Sequence, residues 1–523
     1  MTRPVALRIL ALAAVIGVVA QALLFDTLLG VNVPLLVGAV LAAAGAIRPR
    51  ERSIDRADWW LPPATIILGL AVAVRADPVL LLLDVMALCA LLGATVAAIS
   101  GAAVTRRSAI RIVELGFIVL GWVGIGILRA TAALSRASGG SDLDSPLRRL
   151  PPWAGPVARG LVLAIPALVV FAVLFSAADL AFDQLMARLF TWDVDLGLLP
   201  LRIAIAFLIA WGVTGLLAVA AGSIVDEPGT AGSPPMQPVA QSLGAAAAGL
   251  PARVARDGEP APLIRLGPIE AATILIAVDV LFAVFVLLQI RYLFGGQDSL
   301  AVTGLPYAQY ARSGFFELVW VAFLAGGLLA VVHAIAARRT LVLVGAGIAL
   351  AALTAAVLVS ALIRLRIYQD AYGWTELRFY VLASIVWLGI GIAITIAFLA
   401  RDRMGYLLHG LAIAAVVVLI GINIVGPSRV IAEENVARVL NPALVPPDGM
   451  TGLDVRYASA LGDDAVPALI RALPALAEAD RSNLLARLER RREALAASDA
   501  TSWPAWNLGR ELARQALAGL PGR

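Results

Sequence analysis

The chain has 523 residues, 61% of them hydrophobic and only 15% charged, with a mean hydropathy of +0.90. Soluble globular domains are about 45–50% apolar and about 25% charged, so that class is excluded. All 41 basic residues are arginines and the net charge is +5. They are dispersed and flank apolar segments, as the positive-inside rule requires, and they form no nucleic-acid-binding patch. The single cysteine, Cys89, lies within an apolar run and leaves no partner for an intrachain disulfide or a thiolate metal cluster.

Repeated apolar runs of about 18–25 residues each suffice to span about 30 Å of hydrocarbon. They predict an all-α fold: a polytopic transmembrane helical bundle of about 11–12 spans with a small C-terminal water-facing helical domain. The first run follows Arg3 and Arg8 and continues to Phe25, too long for a signal peptide and without a cleavage site. Leu28–Ile47 is the second, followed by a link carrying Arg48, Arg50, Arg52 and Arg56. A hairpin of two spans, Trp59–Val74 and Val79–Ser100, is joined by Arg75-Ala-Asp-Pro78, where the proline fits a turn. Arg106, Arg107 and Arg111 mark another link, and the two arginine-rich links place the N-terminus inside.

Ile112–Leu134 is an ambiguous segment with Glu114, Arg129 and a glycine-rich middle. Pro156–Ala177 and Leu198–Gly222 read as spans, and the charged segment between them as an interfacial amphipathic helix. Residues 1–222 thus form an N-terminal set of helices. Residues 223–265 are rich in Ala, Gly and Pro and are expected to be a flexible linker. Residues 266–426 hold the central spans Pro268–Tyr292, Gly314–Ala336, Thr340–Ile363, Thr375–Ala400 and Met404–Val425. Residues 427–523 have helical periodicity with interleaved Arg and Glu and no spanning run, the pattern of a separable soluble tail.

Topology leaves two solutions. If every segment crosses, the tail is inside and Arg338, Arg339, Arg401 and Arg403 lie outside, against the positive-inside rule. If Ile112–Leu134 is re-entrant, those arginines move inside and the tail lies outside.

Two polar, aromatic stretches interrupt the central spans. One is Tyr307-Ala-Gln-Tyr-Ala-Arg-Ser-Gly-Phe-Phe-Glu317, and the other runs from Tyr368 to Tyr380. Together with Asp279, deep in its run, they supply a candidate polar cluster of Tyr307, Tyr310, Arg312, Glu317, Tyr368, Tyr372, Glu376, Arg378 and Asp279. Charge inside a span pairs or lines a path. Glu317 and Arg378 are expected to pair across two parallel helices separated by one crossing. Gly373 and the water-facing look of Gln369-Asp370 predict a helix broken at the membrane surface.

Several stretches resemble a bacterial family of multi-pass membrane proteins known as a domain of unknown function, numbered 4153 or 4173. They are Phe25-Asp26 with Gly30–Pro34, Tyr310–Glu317, Tyr372–Arg378, Asn435–Arg438, Leu461–Pro467 and Trp503–Arg510. The resemblance implies a multi-pass membrane architecture, with no activity, substrate or cofactor attached.

No phosphate-binding glycine loop, nucleophile elbow or zinc motif is present, so no cofactor or metal is expected. The reading is an integral protein of the bacterial cytoplasmic membrane, non-enzymatic, serving small-solute transport or membrane assembly and sensing. Its partners are the lipid bilayer and a protein that binds the tail, with no nucleic acid. The alternative is a membrane-embedded transferase acting on a lipid-linked substrate, with Asp26 or Glu317 as base.

Overall fold

The computed structural model describes residues 3–49, 51–105, 119, 123, 127, 130, 199–223, 268–294, 315–336, 338–447, 449–496 and 502–520. Nearly all of Ile112–Leu134 and of the expected linker, together with Pro156–Ala177, the amphipathic segment after it and Tyr307–Gly314, lie outside these residues. Within them the protein is helical with no β-strand.

The helices are α1 (Arg3–Leu24), α2 (Asn32–Ile47), α3 (Leu61–Val74), α4 (Pro78–Ile99), α5 (Leu199–Ala218), α6 (Pro268–Phe294), α7 (Phe315–Ile335), α8 (Leu341–Tyr372), α9 (Glu376–Arg401) and α10 (Leu407–Val425). The tail adds α11 (Pro427–Leu440), α12 (Val455–Ala460), α13 (Val466–Ala472), α14 (Glu478–Ala496) and α15 (Leu508–Ala518). Seven helices among the described residues are long and apolar enough to cross a membrane, and α2, α6 and α7 carry shorter apolar stretches. This is a polytopic membrane protein.

Local chemistry sets the helix starts. Asp77 caps α4 by accepting from Leu80 N, with Pro78 at the first helical position, where its missing N–H is no loss. Thr340 and Thr375 cap α8 and α9 in the same way. Gly426, at φ +76°, ends α10 and turns the chain directly into Pro427.

Helices α1–α5 pack around one core that includes Ile9, Leu61, Leu68 and Leu217. A second region joins α6–α9. At one end of it Leu275, Leu329, Leu343 and Leu399 meet. At the other end Leu318, Leu365 and Ile385 meet. The starts of α7 and α9 therefore share one end, with α8 running antiparallel between them, as the single intervening crossing predicts.

The tail has a core of its own, with Ile431, Leu469, Leu484 and Leu517 fully buried. Phe379 of α9 is part of that core. The boundary at residue 427 is thus a boundary of composition, and the packing runs across it.

The short connections between helices differ in charge from one end to the other. The tail end gathers the exit of α1, the entry of α2, the α3–α4 and α8–α9 turns and the exit of α10. At the opposite end Asp58, just before α3, accepts from Val104 N and Thr105 N beyond α4. There too Arg339 pairs with Asp402 at 3.0 Å. That opposite end carries Arg48, Arg52, Arg56, Arg338, Arg339, Arg401 and Arg403, whereas Arg75 is the single arginine in the tail-end connections 25–31, 75–77, 373–375 and 426.

Candidate functional site

The four residues Arg75–Pro78, expected to be a simple turn, are a polar hub. Asp77 caps α4 with Oδ1 and accepts from Ser428 N at 3.2 Å and Ser428 Oγ at 2.5 Å with Oδ2. Ser428 Oγ in turn accepts from Gly462 N at 3.1 Å. Ala76 N donates to Asp464 Oδ2 at 3.0 Å, and Asp463 N donates to Ala76 O at 3.3 Å. Asn507 Nδ2 donates to the carbonyls of Val72 and Arg75 at 2.9 and 2.8 Å, closing the end of α3. Arg75 donates to the carbonyls of Asn423 and Ile424 and lies 3.9 Å from Asp464. Asp77, Ser428, Asp464 and Asn507 are all buried. Polar groups withdrawn from water in this way are costly unless paired, and here they pair with one another.

Burial pushes the Asp464 carboxyl above the usual carboxylate range, more than the nearby Arg75 charge lowers it. Burial likewise lowers Arg75. The two segments approach closely enough to require glycine: a Cβ on Gly462 would sit 2.4 Å from Ala76 O.

The second turn, Gly373–Thr375, is held from the same tail. Gly373 has φ +77°, which favours glycine. Trp374 N donates to Asn435 Oδ1 at 2.8 Å, and Asn435 Nδ2 donates back to Trp374 O at 2.9 Å. Arg438 donates to the carbonyls of Gln369, Asp370, Ala371 and Met450, capping the carbonyl end of α8. Tyr457 OH accepts from Glu376 N at 2.7 Å, and burial pushes its pKa up to about 12.

Below the hub, Asp84 of α4 and Asn423 of α10 are both buried, and Asn423 Nδ2 donates to Asp84 Oδ1 at 2.7 Å.

Of the residues expected to cluster, Tyr368, Tyr372 and Arg378 come together. The Arg378 guanidinium lies 3.9 Å over the Tyr368 ring and donates to Tyr372 O and Gly373 O. The two tyrosine rings pack edge to face at 5.1 Å. Glu376 opens α9 beside them. Asp279 stands apart on α6, with Oδ1 buried and without a partner. Tyr307, Tyr310, Arg312 and the Glu317 side chain lie outside the described residues, and with them the expected Glu317–Arg378 pair. The helix breaks at Gly373 as expected and Asp370 is exposed, yet Gln369 is 1% exposed, not water-facing. Docking of Arg438 over the last turn of α8 accounts for this. Asp26 sits at φ +55° in the exit of α1. Among the described residues no group of three or more His, Cys, Asp or Glu side chains could hold a metal ion.

Sequence reasoning passed over Arg75, Asp77, Asn423, Ser428, Asn435, Arg438, Asp464 and Asn507 as site residues. A signal was present: Asn435–Arg438, Leu461–Pro467 and Trp503–Arg510 are stretches that carried the resemblance, and they meet here.

The fold and this join define a polytopic helical membrane protein with a C-terminal helical domain hydrogen-bonded across the ends of its spans. The sequence model of the family described as Domain of unknown function (DUF4153) matches residues 64–472, and the chain belongs to that family. The match takes in both turns and α11–α13, and leaves out α1, α2, α14 and α15. No curated protein and no solved structure matches the chain.

Proposed function

We propose that this is a non-enzymatic assembly or sensing protein of the bacterial cytoplasmic membrane, with its tail on the outer face, where a protein partner binds it. One observation carries the reading: a single tail grips the Arg75–Pro78 turn of one helix set and the Gly373–Thr375 turn of the other. A partner that displaces the tail must displace α3–α4 against α8–α9. The orientation rests on the short interhelix connections, whose arginines stand chiefly at the end opposite the tail; under the positive-inside rule that end is read as cytoplasmic. Of the two topologies open to the sequence, this favours the one with the tail outside.

The test uses right-side-out membrane vesicles and an antibody fragment raised against the exposed face of α14, around Ser482 and Asn483. The fragment is expected to bind from outside and to change hydrogen exchange at Ala76, Leu80 and Trp374 by tenfold or more. Absence of binding from outside sinks the orientation. Binding without a change at those amides sinks the coupling.

Transport of a small solute is a second reading, favoured by the buried, unpartnered Oδ1 of Asp279 within α6. An intramembrane carboxylate without a partner marks a path by default. Proteoliposomes should then take up a small cation or a proton, and Asp279→Asn should abolish the flux; flux unchanged in the variant rejects the path.

A further inference from the structure

Asn423 spends both of its amide hydrogens: Nδ2 donates to Asp84 Oδ1 at 2.7 Å and to Leu419 O at 3.1 Å. Its Oδ1 is buried with no partner. Turning the amide over does not relieve this, because the oxygen would then face two acceptors, Leu419 O and Asp84 Oδ1. The Tyr380 hydroxyl is also buried, and it too has no partner, so it does not supply the missing hydrogen. Asp84 itself is 1% exposed, six residues into α4, about 9 Å below the helix start at 1.5 Å per residue.

An ionised carboxylate here would be an unpaired charge in an apolar interior, a state that proteins relieve by neutralising the group. It would also leave the Asn423 oxygen without any donor. One proton corrects both defects. A carboxylic acid and a primary amide form a planar two-bond ring, in which the amide N–H donates to one carboxyl oxygen and the O–H of the other donates to the amide oxygen.

We propose that Asp84 holds a proton at neutral pH and forms this acid–amide ring with Asn423, making the α4–α10 contact a proton-binding site. The proton is taken up from water by the Asp84 carboxylate, and no other bond changes. The surrounding charges agree with a neutral Asp84. Asp77 on the same helix is one carboxylate, and Glu376 on α9 is another. In the tail and its junction stand Asp464, Tyr457 and the cations Arg75 and Arg429. Arg75 is engaged by Asp464 and by the carbonyls of Asn423 and Ile424. The inference is independent of the sensing role proposed above, since it concerns only the protonation of one buried contact.

Infrared spectroscopy of the full-length protein in lipid tests it. At pH 7 the spectrum should contain the C=O stretch of a hydrogen-bonded protonated carboxyl, and that band should vanish in Asp84→Asn. The variant should also melt close to the wild type, since an amide–amide ring replaces the acid–amide ring, while Asp84→Ala should melt well below it. A wild-type spectrum without the band, or a band that survives in Asp84→Asn, overturns the proposal. Should Asp84→Asn fail to fold, Asn423→Ser removes the amide partner and must move the band. An unmoved band then overturns the proposal equally.

Discussion

Replacing Gly462 with alanine is expected to loosen the tail from the bundle and lower the stability of the whole protein. The new Cβ would lie 2.4 Å from Ala76 O and 2.9 Å from Asp77 Cα. Both are backbone atoms of a turn fixed between two helices, so no side chain can swing aside. Overpacking of this kind costs about 1–3 kcal/mol. The shift also strains the Asp463 N–Ala76 O and Gly462 N–Ser428 Oγ bonds, each contributing about 0.5–1.5 kcal/mol. A loss of about 2–6 kcal/mol is the sum. Thermal unfolding in detergent and limited proteolysis of the tail measure it. Gly452→Ala is the control, since a Cβ there meets nothing within 4 Å. If both variants melt with the wild type, the close approach at Gly462 is not as described.

Arg438→Met should be of similar severity and should act at the other turn. It removes a guanidinium that donates to four carbonyls, three of them in the last turn of α8. Hydrogen bonds from a charged group contribute about 1.5–3 kcal/mol each and do not add fully, so a loss of about 3–5 kcal/mol is expected. Burial lowers the Arg438 pKa from its ordinary value, but the group stays charged at any physiological pH. Arg438→Lys should recover only part of the loss, because a compact ammonium cannot reach four acceptors on a planar fork. Hydrogen exchange across Gln369–Gly373 and the melting temperature separate the three proteins. Full recovery by lysine would show that charge alone, not the fork, holds this turn.

Much of the fold was readable from the sequence because an apolar run and a spanning helix are nearly the same object. Pro268–Tyr292 and Thr375–Ala400 were expected, and Pro268–Phe294 and Glu376–Arg401 are found. The largest error in extent is α8, expected to stop at Ile363 but continuing to Tyr372. Arg364, Arg366, Gln369 and Asp370 have the polarity of a loop, and the helix persists past them because Arg438 caps it from a segment far along the chain.

The site was less readable for the same reason. Tyr368, Tyr372, Glu376 and Tyr380 keep a spacing of four residues that would put them on one stripe of an unbroken helix, but Gly373 already marked a break between them. The left-handed Gly373 divides them between α8 and α9. Asp77 and Asn507 each have a local explanation as helix caps, and both do cap helices. Nothing in their neighbourhoods reveals that each also holds a second element several hundred residues away.

That separation has a consequence for biosynthesis. The hub is written into the chain at residues 75–78, but its partners are Ser428, Asp464 and Asn507, reached after gaps of 351, 388 and 432 residues. At about 5–20 residues per second the ribosome needs roughly 20–80 s to deliver the middle partner. The α3–α4 hairpin is made long before them: Asp77 waits for Ser428, Ala76 N longer for Asp464, and the last carbonyls of α3 longest, for Asn507. A chain cut short before residue 462 keeps Ser428 for Asp77 but leaves Ala76 N and the last carbonyls of α3 without Asp464 and Asn507, so the α3–α4 turn is held in full only once the tail has been made.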